Sequence, residues 1–167
     1  MMGCLGVHFA ITPDQASQFL AAKSDDDLME LMEAIEEDEW DADPEYPWAY
    51  QTDKAWDAIH RCLTDGTLAP GAGPLAMFIL GGQDVYKGDD YIVRLVKPEQ
   101  ASAAAQAARQ VDEAWMRRRY FAIDPDDYGV VPSEQDFEYT WEWFKDLPEF
   151  FGRAAEGGRW IAFTASQ

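Results

Sequence analysis

One short segment, residues 52–66, carries the clearest helix signal in the chain. Thr52 or Asp53 can cap a helix by accepting a free backbone N–H group, and Gly66 suits the left-handed residue that follows a helix. At about 100° per residue, the apolar residues of the segment fall on one side. We therefore expect a buried face made of Ala55, Trp56, Ile59, Cys62 and Leu63.

A polar stripe that contains Asp53, Asp57 and His60 follows one border of that face. Asp57 can reach His60 and Arg61, which lie three and four residues further on. Two interpretations are open. In one, Asp53, Trp56, Asp57 and His60 form a small ligand-binding or catalytic site, with His60 as acid, base or ligand donor. In the other, His60 packs at the edge of the core and bonds a neighbouring carboxylate, since structural ion-pair networks also perturb histidines.

The net charge restricts the classes of partner. The 167 residues include 32 acidic and 13 basic ones, which gives a formal net charge of −19. Such a field repels phosphate groups, so we expect neither nucleic acid nor an anionic membrane as the main partner. The negative charge favours a basic protein surface or a cation as partner. Alternatively, it only keeps the protein soluble.

The acidic residues are concentrated between Asp25 and Glu45, where twelve of them occur without a basic residue. The first part, Asp25–Glu39, has the periodicity of an amphipathic helix. The part from Asp41 faintly resembles a calcium loop, but Tyr46 stands at the glycine position and Thr52 at that of the bidentate glutamate. We interpret the run as a solvated acidic segment.

The sequence lacks the signals of several activities. It has neither a dinucleotide fingerprint nor a phosphate loop nor a serine nucleophile elbow, and we predict no cofactor. Neither local pair of possible zinc ligands can chelate a metal ion. Cys4 and His8 lie too far apart along a strand, and the side chains of His60 and Cys62 point in different directions from a helix. We therefore predict no metal site. Two cysteines make no disulfide framework, and there is no export signal or long apolar run. We therefore expect a cytoplasmic protein.

Strand patterns near both chain ends indicate the fold class. Cys4–Ile11 alternates small or polar residues with large apolar ones, and Gly6 suggests close approach by another backbone. Arg159–Thr164 is predicted as a final strand, with Trp160, Ala162 and Thr164 on one face and Ile161 and Phe163 on the other, and Tyr91–Val96 is a plausible strand. Because helical segments separate these strands, we predict an α+β fold, with residues 1–167 as one domain and a small sheet that joins the chain ends.

The longest predicted helix runs from Pro98 to about Arg119 and places Asp112 on its buried face. A buried carboxylate is costly without a partner, which Arg109 or Arg119 could supply. Alternatively, Asp112 is a cleft acid with a shifted pKa.

The chain resembles the YfbM-like family of bacterial domains of unknown function. The residues that carry the resemblance are Met2-Gly3-Cys4-Leu5-Gly6 with Phe9-Ala10, the block Asp53–His60 with Leu63-Thr64, Gly81-Gly82, and an aromatic-rich last helix followed by a strand. The resemblance implies a small intracellular α+β protein, and it supplies no catalytic residues.

Three hypotheses about function follow. The first is a non-enzymatic binding protein whose acidic surface meets a basic protein partner, with an immunity-like role by analogy. The second is a small-ligand binder or enzyme that uses His60, Asp57, Asp53 and Trp56. The third is a domain whose charge only keeps it soluble. The sequence makes no prediction of oligomeric state.

Overall fold

The computed structural model describes residues 5–40 and 48–166, without the side chains of residues 38–40. The strands are β1 (Gly6–Ile11), β2 (Ala49–Asp53), β3 (Gln83–Asp84), β4 (Tyr91–Val96) and β5 (Trp160–Ser166). The helices are α1 (Pro13–Ala21), α2 (Asp25–Trp40), α3 (Trp56–Leu63), α4 (Pro98–Ala107), α5 (Glu113–Phe121), α6 (Pro125–Tyr128), α7 (Glu134–Phe144) and α8 (Leu147–Glu156). Short 3-10 turns occupy Pro74–Phe78 and Ala108–Gln110.

The strands form one antiparallel sheet in the order β2-β1-β5-β4-β3. The first and last strands are neighbours, with Phe9 opposite Ala162 and Ile11 opposite Trp160. The predicted α+β fold and the pairing of the chain ends are therefore confirmed. Cys4, where the predicted first strand begins, lies outside the described residues.

The sheet separates two apolar cores. On one side, Phe9 and Ile11 of β1 pack with Phe19 of α1 and with Leu28 and Met32 of α2. On the other side, the core contains Ala10 of β1 together with buried residues of α3, α4, α5, α7 and α8. Each core therefore forms around alternate residues of the same strands.

The central helix is shorter at its amino end than predicted. Thr52 and Asp53 belong to β2, and α3 begins at Trp56, with Ala55 at the cap position and no side-chain cap. Thr52 is held in the sheet by a hydrogen bond from its hydroxyl to the carbonyl oxygen of Gly6, at 3.2 Å. The predicted buried face is confirmed by Ala55, Trp56, Ile59, Cys62 and Leu63, each at most 5% exposed.

The prediction of one helix from Pro98 to Arg119 is wrong, because the chain leaves the helical path between α4 and α5. Asp112 caps α5 by accepting a hydrogen bond from the backbone N–H of Trp115 at 2.8 Å. Its side chain is exposed, so the buried carboxylate expected there does not exist. An aspartate that caps a second helix is a recognisable sequence signal, and the continuous apolar periodicity concealed it.

Within the described residues, no helix combines the length and the apolar character that crossing a bilayer requires.

Gly6 allows α3 to lie against the sheet. A Cβ atom at this position would lie 2.5 Å from the Thr52 hydroxyl oxygen, 2.9 Å from Cδ1 of Trp56 and 3.1 Å from Phe163. The close approach predicted at Gly6 thus comes from side chains rather than from a backbone. The indole of Trp56 can occupy its place only because Gly6 has no side chain.

We predict that Gly6→Ala lowers the free energy of unfolding by about 1–3 kcal/mol, because the new methyl group displaces Trp56 and Thr52. Urea denaturation measures the change. Gly157→Ala is the matched control, since a Cβ there meets no described atom closer than 3.6 Å. Equal effects of the two substitutions would contradict the steric role of Gly6.

Candidate functional site

His60, the central residue of the predicted polar site, is fully buried. Its Nε2 atom lies 2.7 Å from the carbonyl oxygen of Ala69, and the backbone N–H of Leu80 donates to Nδ1 at 3.4 Å. These contacts fit a neutral ring that carries its proton on Nε2. Burial lowers the pKa of His60, which favours the same neutral form. His60 therefore joins α3 to two later segments of the chain.

Asp57 pairs with Arg61 and not with His60, which was the other partner within its reach. Nε of Arg61 donates to Asp57 at 2.7 Å, and one terminal nitrogen of the same guanidinium donates to Asp127 at 2.6 Å. The Arg61 side chain is 4% exposed, whereas those of Asp57 and Asp127 are 29% and 54% exposed. The guanidinium also lies 5.4 Å from the ring centre of Tyr128. Through its hydrogen bond to Asp127, Arg61 thus connects α6 to α3.

Asp53 bonds to a tyrosine of α7. The hydroxyl of Tyr139 donates to the Asp53 carboxylate and accepts from the backbone N–H of Lys54 at 3.1 Å. Asp53 has a φ of +48°, a left-handed conformation that aspartate tolerates better than most residues. Burial and the bond to Asp53 raise the pKa of Tyr139 to about 12, so its hydroxyl remains a donor.

The four predicted residues are therefore held by separate partners. Trp56 lies in the core, where its ring centre is 5.9 Å from the ring centre of Phe163. His60 is held by backbone groups, Asp57 by Arg61, and Asp53 by Tyr139. A ligand-binding role for these residues stays a prediction, and the contacts found are those of structural residues.

A cleft of about 680 Å³ opens beside Arg61. The side chains of Asp65, Thr67, Asp124 and Asp127 line it together with Arg61. Thr67 donates to Asp65 at 2.7 Å through its hydroxyl, which occupies part of the acceptor capacity of that carboxylate. The charged groups of the lining are three carboxylates and one guanidinium, so the net negative charge of the cleft favours a cation over an anion.

The residues suited to metal binding or nucleophilic chemistry are dispersed. In the part of the chain that the structure describes, no three His, Cys, Asp or Glu side chains are grouped to hold a metal ion. Burial raises the pKa of the Cys62 thiol to about 12, which keeps it protonated and unreactive. Cys4 lies outside the described residues.

A second candidate site is the outer face of α2, which we call the α2 acidic face. It consists of seven carboxylate residues: Asp25, Asp26, Asp27, Glu30, Glu33, Glu36 and Glu37. Leu28, Met32 and Ile35 hold the helix on the sheet from its inner side. None of the seven carboxylates is in an ion pair within residues 5–40 and 48–166.

The loop before β4 extends this face. The Asp25 carboxylate accepts from the backbone N–H groups of Lys87 and Gly88 at 2.9 and 3.0 Å. The hydroxyl of Tyr86 donates to Asp90 at 2.9 Å, and its ring centre lies 5.8 Å from that of Tyr91. Carboxylates and aromatic rings thus lie side by side at the amino end of α2.

Comparisons with known proteins agree with this fold. A family model described as Domain of unknown function (DUF1877) matches residues 2–164. The chain belongs to this family. The solved structure of YfbM from Escherichia coli, a protein of unknown function, is 20% identical, with a TM-score of 0.68 over 96% of this chain and 99% of that chain. The comparison with curated proteins gave no match.

The predicted resemblance to the YfbM-like family is therefore confirmed. At this identity, the likeness to YfbM establishes the fold of this DUF1877 protein and no activity. Function has to be inferred from its own surfaces.

We predict that Arg61→Met lowers the free energy of unfolding by about 1–3 kcal/mol, because charge-assisted hydrogen bonds to two aspartates are lost while the side-chain volume is kept. The exposure of both aspartates keeps the loss below that of a fully buried pair. Lys145→Met removes the exposed ion pair with Glu142 and should change stability by less than about 0.5 kcal/mol. Similar losses from both substitutions in denaturant titrations would contradict this role for Arg61.

His8 makes the stability of this DUF1877 protein pH-dependent. Its ring is fully buried near Phe151 and Phe163, and its Nε2 atom lies 2.6 Å from the carbonyl oxygen of Phe78. Burial lowers the pKa of His8 from 6.5 to about 4. Between these values the unfolded chain binds a proton that the folded chain does not, so stability falls as the pH falls.

We predict that the wild type loses about 3 kcal/mol more stability than His8→Gln between pH 7 and pH 4, because glutamine donates to Phe78 without titrating. Urea denaturation over this pH range measures the difference. Parallel stability curves for the two proteins would show that His8 does not carry this pH dependence.

Proposed function

We propose that this protein is a non-enzymatic binding module whose α2 acidic face docks a basic protein. The observation that carries the proposal is the set of seven carboxylates on one helix with no basic side chain paired to them among the described residues. Charges of one sign on one face steer and hold a partner of opposite charge.

The charges of this face repel one another in the free protein. Burial raises the pKa of Glu36, and the neighbouring charge of Glu33 raises it further. Like charges one helical turn apart destabilise a helix by about 0.2–0.5 kcal/mol per pair. A lysine or arginine side chain placed against the face would relieve this repulsion on binding.

The loop at the amino end of α2 adds contact groups of a second kind. Tyr86 and Tyr91 present aromatic rings beside Asp25 and Asp90. Basic side chains bind carboxylates by ion pairing and aromatic faces by cation–π contact, so both groups suit the same partner. An immunity-like role, in which this face covers a basic toxin, fits the surface by analogy.

The experiment compares two variants with the same change in net charge. In the first, Glu30, Glu33 and Glu37 on α2 are changed to glutamine. In the second, Glu113→Gln, Asp126→Asn and Glu138→Gln remove three exposed carboxylates from other helices. A basic protein captured by the wild type is purified, and its affinity for all three proteins is measured by calorimetry at low and high salt.

We predict that the α2 variant binds this protein about tenfold or more weakly, while the second variant binds like the wild type, because the contact is local. Wild-type affinity should fall steeply with salt. Equal losses for both variants would indicate that net charge acts without a defined surface. Binding that is indifferent to salt would exclude the acidic face altogether.

A further inference from the structure

Helices α1 and α2 leave a surface groove of about 520 Å³ on the side of the sheet that carries the α2 acidic face. We call it the α1–α2 groove. The residues that line it are Gln18, Ala21 and Ala22 from α1, and Asp27, Glu30 and Leu31 from α2. In each helix the three residues are spaced i, i+3 and i+4, so one continuous face of each helix borders the groove.

The groove combines an apolar surface with negative charge. Ala21, Ala22 and Leu31 supply the apolar surface, and the charged side chains of the lining are Asp27 and Glu30. Residues 13–40, which include both helices, contain ten acidic residues and one lysine. A segment that buries apolar side chains in this groove is therefore favoured when it carries basic residues beside them.

The outer face of α2 carries a regular stripe of carboxylates beside the groove. Its members follow one another at intervals of four, three and four residues, and all are exposed: Asp26, Glu30, Glu33 and Glu37. This spacing places one carboxylate on each helical turn of about 5.4 Å. Because Glu30 belongs both to the stripe and to the lining of the groove, the two surfaces are continuous.

The spacing of the stripe favours a helical partner segment. A helix that lies along α2 presents the side chains of one face once per turn, in step with the carboxylates. An extended segment presents the side chains of one face about 6.7 Å apart, so it is about 4 Å out of step after three intervals. An amphipathic helix also keeps its apolar residues on a face next to its basic ones, which matches a groove beside a stripe.

We propose that the α1–α2 groove receives a basic amphipathic helix of the partner protein. The apolar side chains of that helix pack against Ala21, Ala22 and Leu31, and its lysine or arginine side chains pair with the carboxylates of the stripe. This inference rests on the function proposed above for the α2 acidic face, and it adds the groove and the helical form of the partner segment.

The first test uses two synthetic peptides of about 18 residues that contain the same leucines and lysines. In the helical peptide, the leucines form one face and the lysines recur every three or four residues beside it. In the control peptide, the same residues are ordered without a helical period. The helical peptide should bind the wild type about tenfold or more tightly than the control peptide, and its helical circular dichroism should increase on binding, because it alone matches groove and stripe together.

The second test separates the groove from the charge. Ala21→Gln places a polar side chain in the groove at unchanged net charge and should weaken binding of the helical peptide about fivefold or more. Ala103→Gln makes the same change at an exposed position of α4, on the other side of the sheet, and should leave the affinity unchanged. Thermal unfolding of both variants shows that the chain still folds.

Equal affinities of the two peptides would overturn the proposal, and so would an Ala21→Gln variant that binds the helical peptide like the wild type. A wild type that dimerises in light scattering, and that Ala21→Gln makes monomeric, would assign the groove to a second copy of the chain instead.

The variant with Glu30→Gln, Glu33→Gln and Glu37→Gln distinguishes this inference from the proposed function. If this variant binds the purified basic protein more weakly while Ala21→Gln binds it like the wild type, the acidic face remains the binding surface and the groove proposal alone is wrong. If neither change weakens binding of the basic protein, both proposals are wrong. Weaker binding by both variants is the result expected.

Discussion

The alternation of side chains along β1 is the constraint on which the rest of the structure depends. Phe9 and Ile11 face the core under α1 and α2, whereas Ala10 faces the core under α3. Gly6 on the same strand leaves the space that the Trp56 indole and Thr52 occupy. One strand, paired with β5 on one edge and β2 on the other, thus positions helices on both sides of the sheet.

The division into two sides lets the protein separate its charges. The helix α2 is held by its apolar inner face, so its outer face is free to carry seven carboxylates without a penalty in packing. On the other side, α4 and α8 are rich in alanine and carry far fewer acidic residues than α2, three in all beside one arginine. The proposed basic partner would therefore bind on the α2 side of the sheet.

Local patterns predicted the elements whose signals lie within a few residues. The apolar periodicity of Asp25–Glu39 predicts α2, which extends one residue further, to Trp40, and the strand predicted at Tyr91–Val96 is β4 with the same bounds. Strand β2 was missed because its five residues lack a period-2 apolar pattern, and its place depends on pairing with β1.

Distance along the chain also explains why the predicted site differs from the observed contacts. Asp57 and Arg61 pair one helical turn apart, as the spacing allowed, but Asp127 is 66 residues away from Arg61. His60 takes its partners from Ala69 and Leu80, and Asp53 from Tyr139 on α7. Contacts of this kind arise from the tertiary fold, and no local sequence pattern predicts them.

The separation of charge across the sheet can be measured directly from the relaxation of backbone amide protons by a cationic and an anionic nitroxide. The cationic probe should relax residues 25–37 and 84–90 far more strongly than the anionic one, because the local potential is strongly negative. Both probes should act nearly equally on residues 97–110 and 147–159. An equally negative potential on both sides would contradict the separation of charge and, with it, the proposal that a basic partner binds at the α2 acidic face.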